Sequence, residues 1–186
     1  MNETKQNVVA KLIRESRVAT GKVRLSYAHL FEPAGDNEKY SVSIIIDKDD
    51  EATQEAIDEA VQHALEKGKQ KFGSSFKGSK LHMPLHDGDE EKPDDENYAG
   101  KLYLNCSNKK APQVVDINCD RIEDPDEVYS GCYARVSIEF FPYSVNGNMG
   151  VAASLQNVQK LEDGERLGGG HASAISDFGG ADDFLS

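Results

Sequence analysis

One stretch constrains the fold of this chain more than any other. From Cys132 to Leu161 it reads CYARVSIEFFPYSVNGNMGVAASLQNVQKL. Cys132, Ala134, Val136, Ile138 and Phe140 alternate with polar and aromatic residues, and a period of two is the mark of a strand with one buried face. Tyr133, Arg135, Phe141 and Tyr143 fall on the other face. The run Asn146–Asn148 then supplies a hairpin turn, because Asn and Gly both tolerate positive φ. The residues from Gly150 to Leu161 return as the partner strand. A long hairpin with one apolar face must pair further, or curl, to bury it.

The rest of the chain offers the strands to do so. Glu15 to Phe31 predicts a long strand or hairpin, with Val23, Leu25 and Tyr27 alternating with Lys22, Arg24 and Ser26. The next eight residues, EPAGDNEK, predict a loop by their Pro, Gly and Asn. Tyr40 to Asp47 is β-rich, with Tyr40, Val42, Ile44 and Ile46 on one face. A helix is expected at about 50–72, capped by Asp49 or Asp50. Its apolar stripe is Ala56, Ile57, Ala60, Val61, Ala64 and Leu65, and Gly68 or Gly73 ends it. Lys101 to Ser107 alternates, with Leu102, Leu104 and Cys106 inward and Lys101, Tyr103 and Asn105 outward. Gln113 to Ile117 adds a short strand. The segment 73–100 has no sustained period, and its acidic centre, about 84–98, predicts a mobile loop. The sum is a mainly β fold, an OB-fold-like antiparallel barrel with one inserted α-helix.

Charge and cysteine narrow the setting. The net charge is −12, which at first argues against nucleic acid. Three segments, 47–59, 87–96 and 161–186, carry net −6, −6 and −5, so the remainder is net +5. Salt screens distant charge within about 10 Å, so a local basic face can still hold phosphates. The chain has no long apolar run for a membrane span, and its N-terminus lacks the apolar stretch of a signal peptide. Cys106, Cys119 and Cys132 are odd in number and form no C-x-x-C, which predicts reduced, mostly buried thiols in a cytoplasmic protein.

Catalytic motifs are approached but not met. Ser74-x-x-Lys77 lacks the companion motifs of the S-x-x-K enzymes, and Gly73 to Lys80 ends in Gly-Ser-Lys where a P-loop needs Gly-Lys-Ser/Thr. It reads as a flexible basic loop that puts Lys77 and Lys80 within reach of phosphates. His82 and His86 are separated by Pro84, which breaks the helix a metal pair would need. No metal, cofactor or catalytic site is predicted.

What the strands do carry is cations beside aromatics. Lys22 and Arg24 share one outward face, Lys101, Tyr103 and Asn105 a second, and Tyr133 and Arg135 a third, with Lys109 and Lys110 in the turn after the second. Single-stranded nucleic acid is held this way: cations follow the phosphates while rings stack on unpaired bases. Ordinary strand decoration explains any one of these residues equally well; the combination favours binding.

Three stretches, TGKVRLSYAHLF at 20–31, YSGCYARVSIEFFPY at 129–143 and GVAASLQNVQKLEDGERLGG at 150–169, resemble the phage and prophage family of OB-fold single-stranded DNA-binding proteins. The resemblance implies an OB fold, sequence-independent binding of single-stranded DNA and a role in replication or recombination. It also bears on the chain's end, SDFGGADDFLS after Gly168–Gly170. Replicative single-stranded DNA-binding proteins are similar in ending with a glycine-rich linker and an acidic, aromatic tip that recruits partner enzymes. Asp177, Phe178, Asp182, Asp183 and Phe184 match that tip, although Leu185 and Ser186 follow the phenylalanine.

The expected layout is a DNA-binding body over 1–164 and a disordered, flexible, acidic tail over 165–186. The tail would recruit replication or recombination proteins in the host cytoplasm. A homodimer is left open. Two other functions fit the same composition: a phage structural or decoration protein, and an acidic DNA mimic that inhibits a host enzyme.

Overall fold

The apolar alternation closes into a ring of strands. The computed structural model describes residues 8–78 and 80–167. In chain order the elements are β1 (Lys11–Arg14), β2 (Arg17–Ala19), β3 (Val23–Ala34), β4 (Lys39–Asp47), α1 (Glu51–Phe72), β5 (Leu85–Asp87), the short α2 (Gly88–Glu91), β6 (Lys101–Asn108), β7 (Gln113–Val115), β8 (Tyr133–Val145) and β9 (Asn148–Glu162). β8 pairs with β3, β3 with β4 and β4 with β6, all antiparallel. β6 meets β9 in parallel at Ser107 and Ser154, and β9 returns antiparallel to β8. Those five strands form a closed OB-type barrel with one parallel seam, as expected. β1 and β2 extend the edge of β8, and β7 runs parallel to β9.

The hairpin of β8 and β9 forms as its sequence predicts. Asn146 and Gly147 turn it with φ of 51° and 84°, both positive as such a turn demands. Ala134, Val136, Ile138 and Phe140 point into the core beside Leu25, Ile44, Ile46, Leu104 and Leu155. α1 is inserted between β4 and β6 and packs on β8 and β1. Asp50 caps it, its carboxylate accepting from the Thr53 amide at 3.1 Å. Ala56, Ile57, Ala60, Val61 and Ala64 form its buried stripe. It ends at Gly73, whose φ of 72° suits glycine. Gly68 lies inside the helix for a different reason: the Phe76 ring sits where its side chain would be.

Three expectations differ from the structure. EPAGDNEK is not all loop. β3 continues through Ala34, and only Gly35–Glu38 turn, with the Glu38 amide donating to the Gly35 carbonyl at 3.1 Å. Pro33 is tolerated because the register of β3 on β4 is already irregular between His29 and Ala34.

Tyr27 does not point inward. It adopts φ of 47°, the register slips between Ser26 and His29, and Ala28 packs against the core while Tyr27 is 61% exposed.

The acidic segment 84–98, expected as a mobile loop, is built onto the barrel. β5 pairs with β6, α2 follows, and a 3-10 turn at Glu96–Tyr98 buries the Tyr98 side chain. Asp87 and Asp95 cap the two turns. Gly88 is required by the close approach, since any Cβ there would fall 2.5 Å from the Tyr98 carbonyl oxygen.

Candidate nucleic-acid interface

Cross-strand registration gathers Arg24, Tyr103, Asn105 and Tyr133 on one face of the sheet. Tyr133 stands opposite Arg24, Arg24 opposite Ile45, Ile45 opposite Tyr103, and Tyr103 opposite His86. Directly opposed residues share a face of the sheet. One row therefore runs across five strands, and a second, Ser26–Ser43–Asn105, lies beside it.

At one end of the row Lys22, Arg24, Lys101 and Tyr133 line a recess of about 380 Å³ with Asp47, Asn97 and Glu162. Lys22 and Arg24 lie 4.8 and 5.7 Å from the centre of the Tyr133 ring. Lys22 is paired with Glu162 and Lys101 with Asp47. Arg24 Nε donates to the Gly131 carbonyl at 3.1 Å, and Nη2 to the Glu165 carbonyl at 2.7 Å. These cations are thus partly engaged within the chain. Exposed pairs of this kind are worth about 1 kcal/mol or less, so phosphates can compete for the lysines.

Tyr103 is where the structure departs most from the sequence reading. It lies on the expected face, but only 6% of it is exposed. The acidic segment, here termed the strap, folds back over it. Tyr98 packs edge-on at 5.2 Å and His86 stacks at 5.1 Å. The phenol donates to Glu91 Oε2 at 2.5 Å. Burial, and then that hydrogen bond, push its pKa up to about 12. The same bond holds the Glu91 carboxyl below the usual range. Lys48 clamps the start of the strap, 2.9 Å from Asp87 and 2.8 Å from Asp89, and depresses the Asp89 pKa. The strap as a whole shields the middle of the row.

Beyond the strap a second, larger groove opens. It holds about 680 Å³ and is lined by Asn105, Ser107, His82, His86 and Tyr143 among others. The extended β8–β9 arm forms one wall. The stretch before β5 docks on that arm, with the His82 amide donating to Met149 O at 2.8 Å and the Val151 amide to His82 O at 3.0 Å. Lys77 and Lys80 are exposed on the approach to that stretch, and Lys109 and Lys110 are exposed just after β6.

Arg135 belongs to neither groove. Its Nε donates to the Thr20 carbonyl at 3.0 Å and Nη2 to the Val9 carbonyl at 3.4 Å, so it secures the N-terminal strands. Among the described residues no cluster of three or more His, Cys, Asp or Glu is arranged to hold a metal, and no helix is long and apolar enough to cross a membrane. Burial pushes the Cys106 thiol up to about 12 and raises Cys132 as well, whereas Cys119 is exposed.

The residues expected to begin the linker, Glu165–Leu167, lie against the barrel. The Leu167 amide donates to Ser130 O at 2.9 Å, and Leu167 packs on the cluster of Ile45, Tyr98 and Tyr103. Asp177, Phe178, Asp182, Asp183 and Phe184 lie outside the described residues.

Fold and surface together define an OB-type barrel whose outward sheet gathers aromatics and cations under an acidic strap. The fold is that of the phage single-stranded DNA-binding proteins. The chain belongs to the family described as Enterobacter phage Enc34, ssDNA-binding protein, whose model matches residues 16–185. It is 34% identical over 172 residues to protein p50 of Acyrthosiphon pisum secondary endosymbiont phage 1, a match covering 87% of this chain and 92% of that protein. Its fold is similar to that of the single-stranded DNA-binding protein from bacteriophage Enc34 in complex with ssDNA. The TM-score is 0.73 at 24% identity, covering 88% of this chain and 99% of the other. It is also similar to gp2.5, a single-stranded DNA-binding protein encoded by bacteriophage T7, at TM-score 0.63 and 19% identity over 89% and 95% of the two chains.

Proposed function

We propose that this protein binds single-stranded DNA without sequence preference and without catalysis. It would coat and protect single strands during phage DNA replication or recombination in the host cytoplasm. The observation that carries the reading is the pair of grooves at the ends of the cross-strand row, one lined by Lys22, Arg24, Lys101 and Tyr133 and the other by Asn105, His86 and Tyr143. A flexible strand needs such a track, since each base offers a π-face whatever its identity and each phosphate a charge. Membership of a family named for an ssDNA-binding protein supports the same assignment.

The tail completes the proposal. Leu167 rests on the row's own hydrophobic cluster, so the described body ends beside the surface that a strand would use. An acidic tip tethered there competes with phosphates at high effective concentration. Once a strand displaces it, Phe178 or Phe184 becomes available to a replication or recombination partner.

The test is a gel shift and an anisotropy titration with labelled oligothymidine over a range of salt. Binding that weakens steeply as salt rises supports the reading, because phosphate contacts release counterions. A decoration protein or a DNA mimic leaves the oligonucleotide unbound at every salt concentration.

A further inference from the structure

Tyr27 is an anomaly that neither the core nor the fold explains. Left-handed backbone is disfavoured for an ordinary L-residue, and Asn or Gly would occupy the position with less strain. The strain brings no burial in return, since the ring is 61% exposed. The bulge at Ser26–His29 instead turns an aromatic ring outward from a strand that otherwise alternates. Strain kept without packing gain is a marker of function.

The ring has one close charged neighbour from the strap. Lys92 Nζ, at the centre of the strap, lies over it at 5.2 Å. The same ammonium lies 4.7 Å from the Tyr98 ring and 5.2 Å from the Tyr103 ring, both buried. One cation therefore ties the exposed ring to two fixed ones. It also gives the strap a purpose: it withdraws Tyr103 from solvent and holds Tyr27 in its place.

Resting on the single-strand reading above, we propose that Tyr27 is a base-stacking residue of this surface and Lys92 its positioning residue. The ligand is an unpaired nucleobase. Asp94, Asp95 and Glu96 line the recess around Lys92, and their charge keeps phosphates off this part of the strap. The contact at Tyr27 is thus made by the uncharged base, while the phosphates follow cations elsewhere.

The chain contains no tryptophan, so Tyr27→Trp introduces a single reporter. Its fluorescence should be quenched by oligothymidine, saturating where anisotropy saturates. Tyr27→Asn, which accepts the left-handed backbone, should keep the melting temperature yet bind oligothymidine about ten-fold or more weakly, the size expected for one lost stack. Its salt dependence should match the parent's. Tyr27→Phe should bind like the parent. Lys92→Met should weaken binding several-fold in the parent and not at all in Tyr27→Asn, because a positioning residue acts only through the ring it positions.

The proposal is overturned if Tyr27→Asn binds like the parent, or if saturating DNA leaves the Tyr27→Trp fluorescence unchanged. Equal Lys92→Met effects in both backgrounds would also overturn it. If the parent itself fails to bind oligothymidine, the single-strand reading falls, and this assignment with it.

Discussion

The Tyr103 phenol donates to the Glu91 carboxylate at 2.5 Å, and this bond joins the barrel's outward sheet to the strap that covers it. It makes the strap sensitive to alkali. The Tyr103 pKa is raised from 10.0 to about 12, so the folded chain holds that proton where the unfolded chain releases it. The stabilisation is fully present below pH 10 and is lost as the pH rises through about 12. Glu91 gives the opposite limb: its lowered pKa contributes above the ordinary carboxylate range and is lost in acid. A phenolate-absorbance titration should show a late step that Tyr103→Phe removes. A late step that survives the substitution would assign the shift to another ring.

Gly68 and Phe76 make a second pair with a measurable coupling. Glycine inside a helix ordinarily costs about 1 kcal/mol against alanine, so Gly68→Ala would ordinarily stabilise. Here a Cβ would meet the Phe76 ring at 2.1 Å, and that ring is only 1% exposed. Denaturant unfolding should show Gly68→Ala losing about 1–3 kcal/mol by overpacking, and Phe76→Ala about 3–5 kcal/mol by cavity formation. The double variant should lose less than the sum, because the methyl then enters space the ring has left. Simple additivity would mean the helix shifts to relieve the contact.

Much of this fold was legible because local pattern and tertiary role agree. The alternation of β8, the Asn146–Gly147 turn and the apolar stripe of α1 each encode their own geometry. Tyr27 was misread because a bulge reverses the alternation without changing it in sequence. Lys22, Arg24 and Tyr133 line one recess, as strand alternation predicts by placing them on one side of the sheet. Tyr103 was given its face but not its burial, since covering depends on a segment whose charge reads as solvated loop. The anchor of that segment, Tyr98, is a single aromatic amid acids, and it was the one available signal that the strap docks.

The cations should separate by role. Lys109 and Lys110 are exposed, as are Lys77 and Lys80. Replacing any one that tracks the strand should leave the melting temperature alone and reduce the slope of log affinity against log salt by about 0.7. Arg135→Ala should do the reverse. It abandons the Thr20 and Val9 carbonyls and should cost about 1–2 kcal/mol of stability at an unchanged salt slope. If Arg135→Ala lowers the slope while stability holds, the outward face of β8 carries the strand and the assignment must be redrawn.

The tail offers the last prediction. Leu167 packs on Ile45, Tyr98 and Tyr103, and nineteen residues follow it, among them Asp177, Asp182 and Asp183. On the proposed reading, a glycine-rich tether leaving that cluster would keep its acids near the row's cations. Deleting residues 172–186 should therefore tighten oligothymidine binding at low salt. The gain should shrink as salt screens the competition. The melting temperature should hold, because Leu167 and its bond to Ser130 remain. Pull-down of replication or recombination enzymes should be lost on deletion. Phe184→Ala alone should weaken it with little change in DNA affinity, since the proposal assigns the anchor to the aromatic ring and the competition to the acids. Should the truncated chain melt early instead, the tail would be part of the folded core. Should its affinity stay parental at every salt, the tip would not compete for this surface.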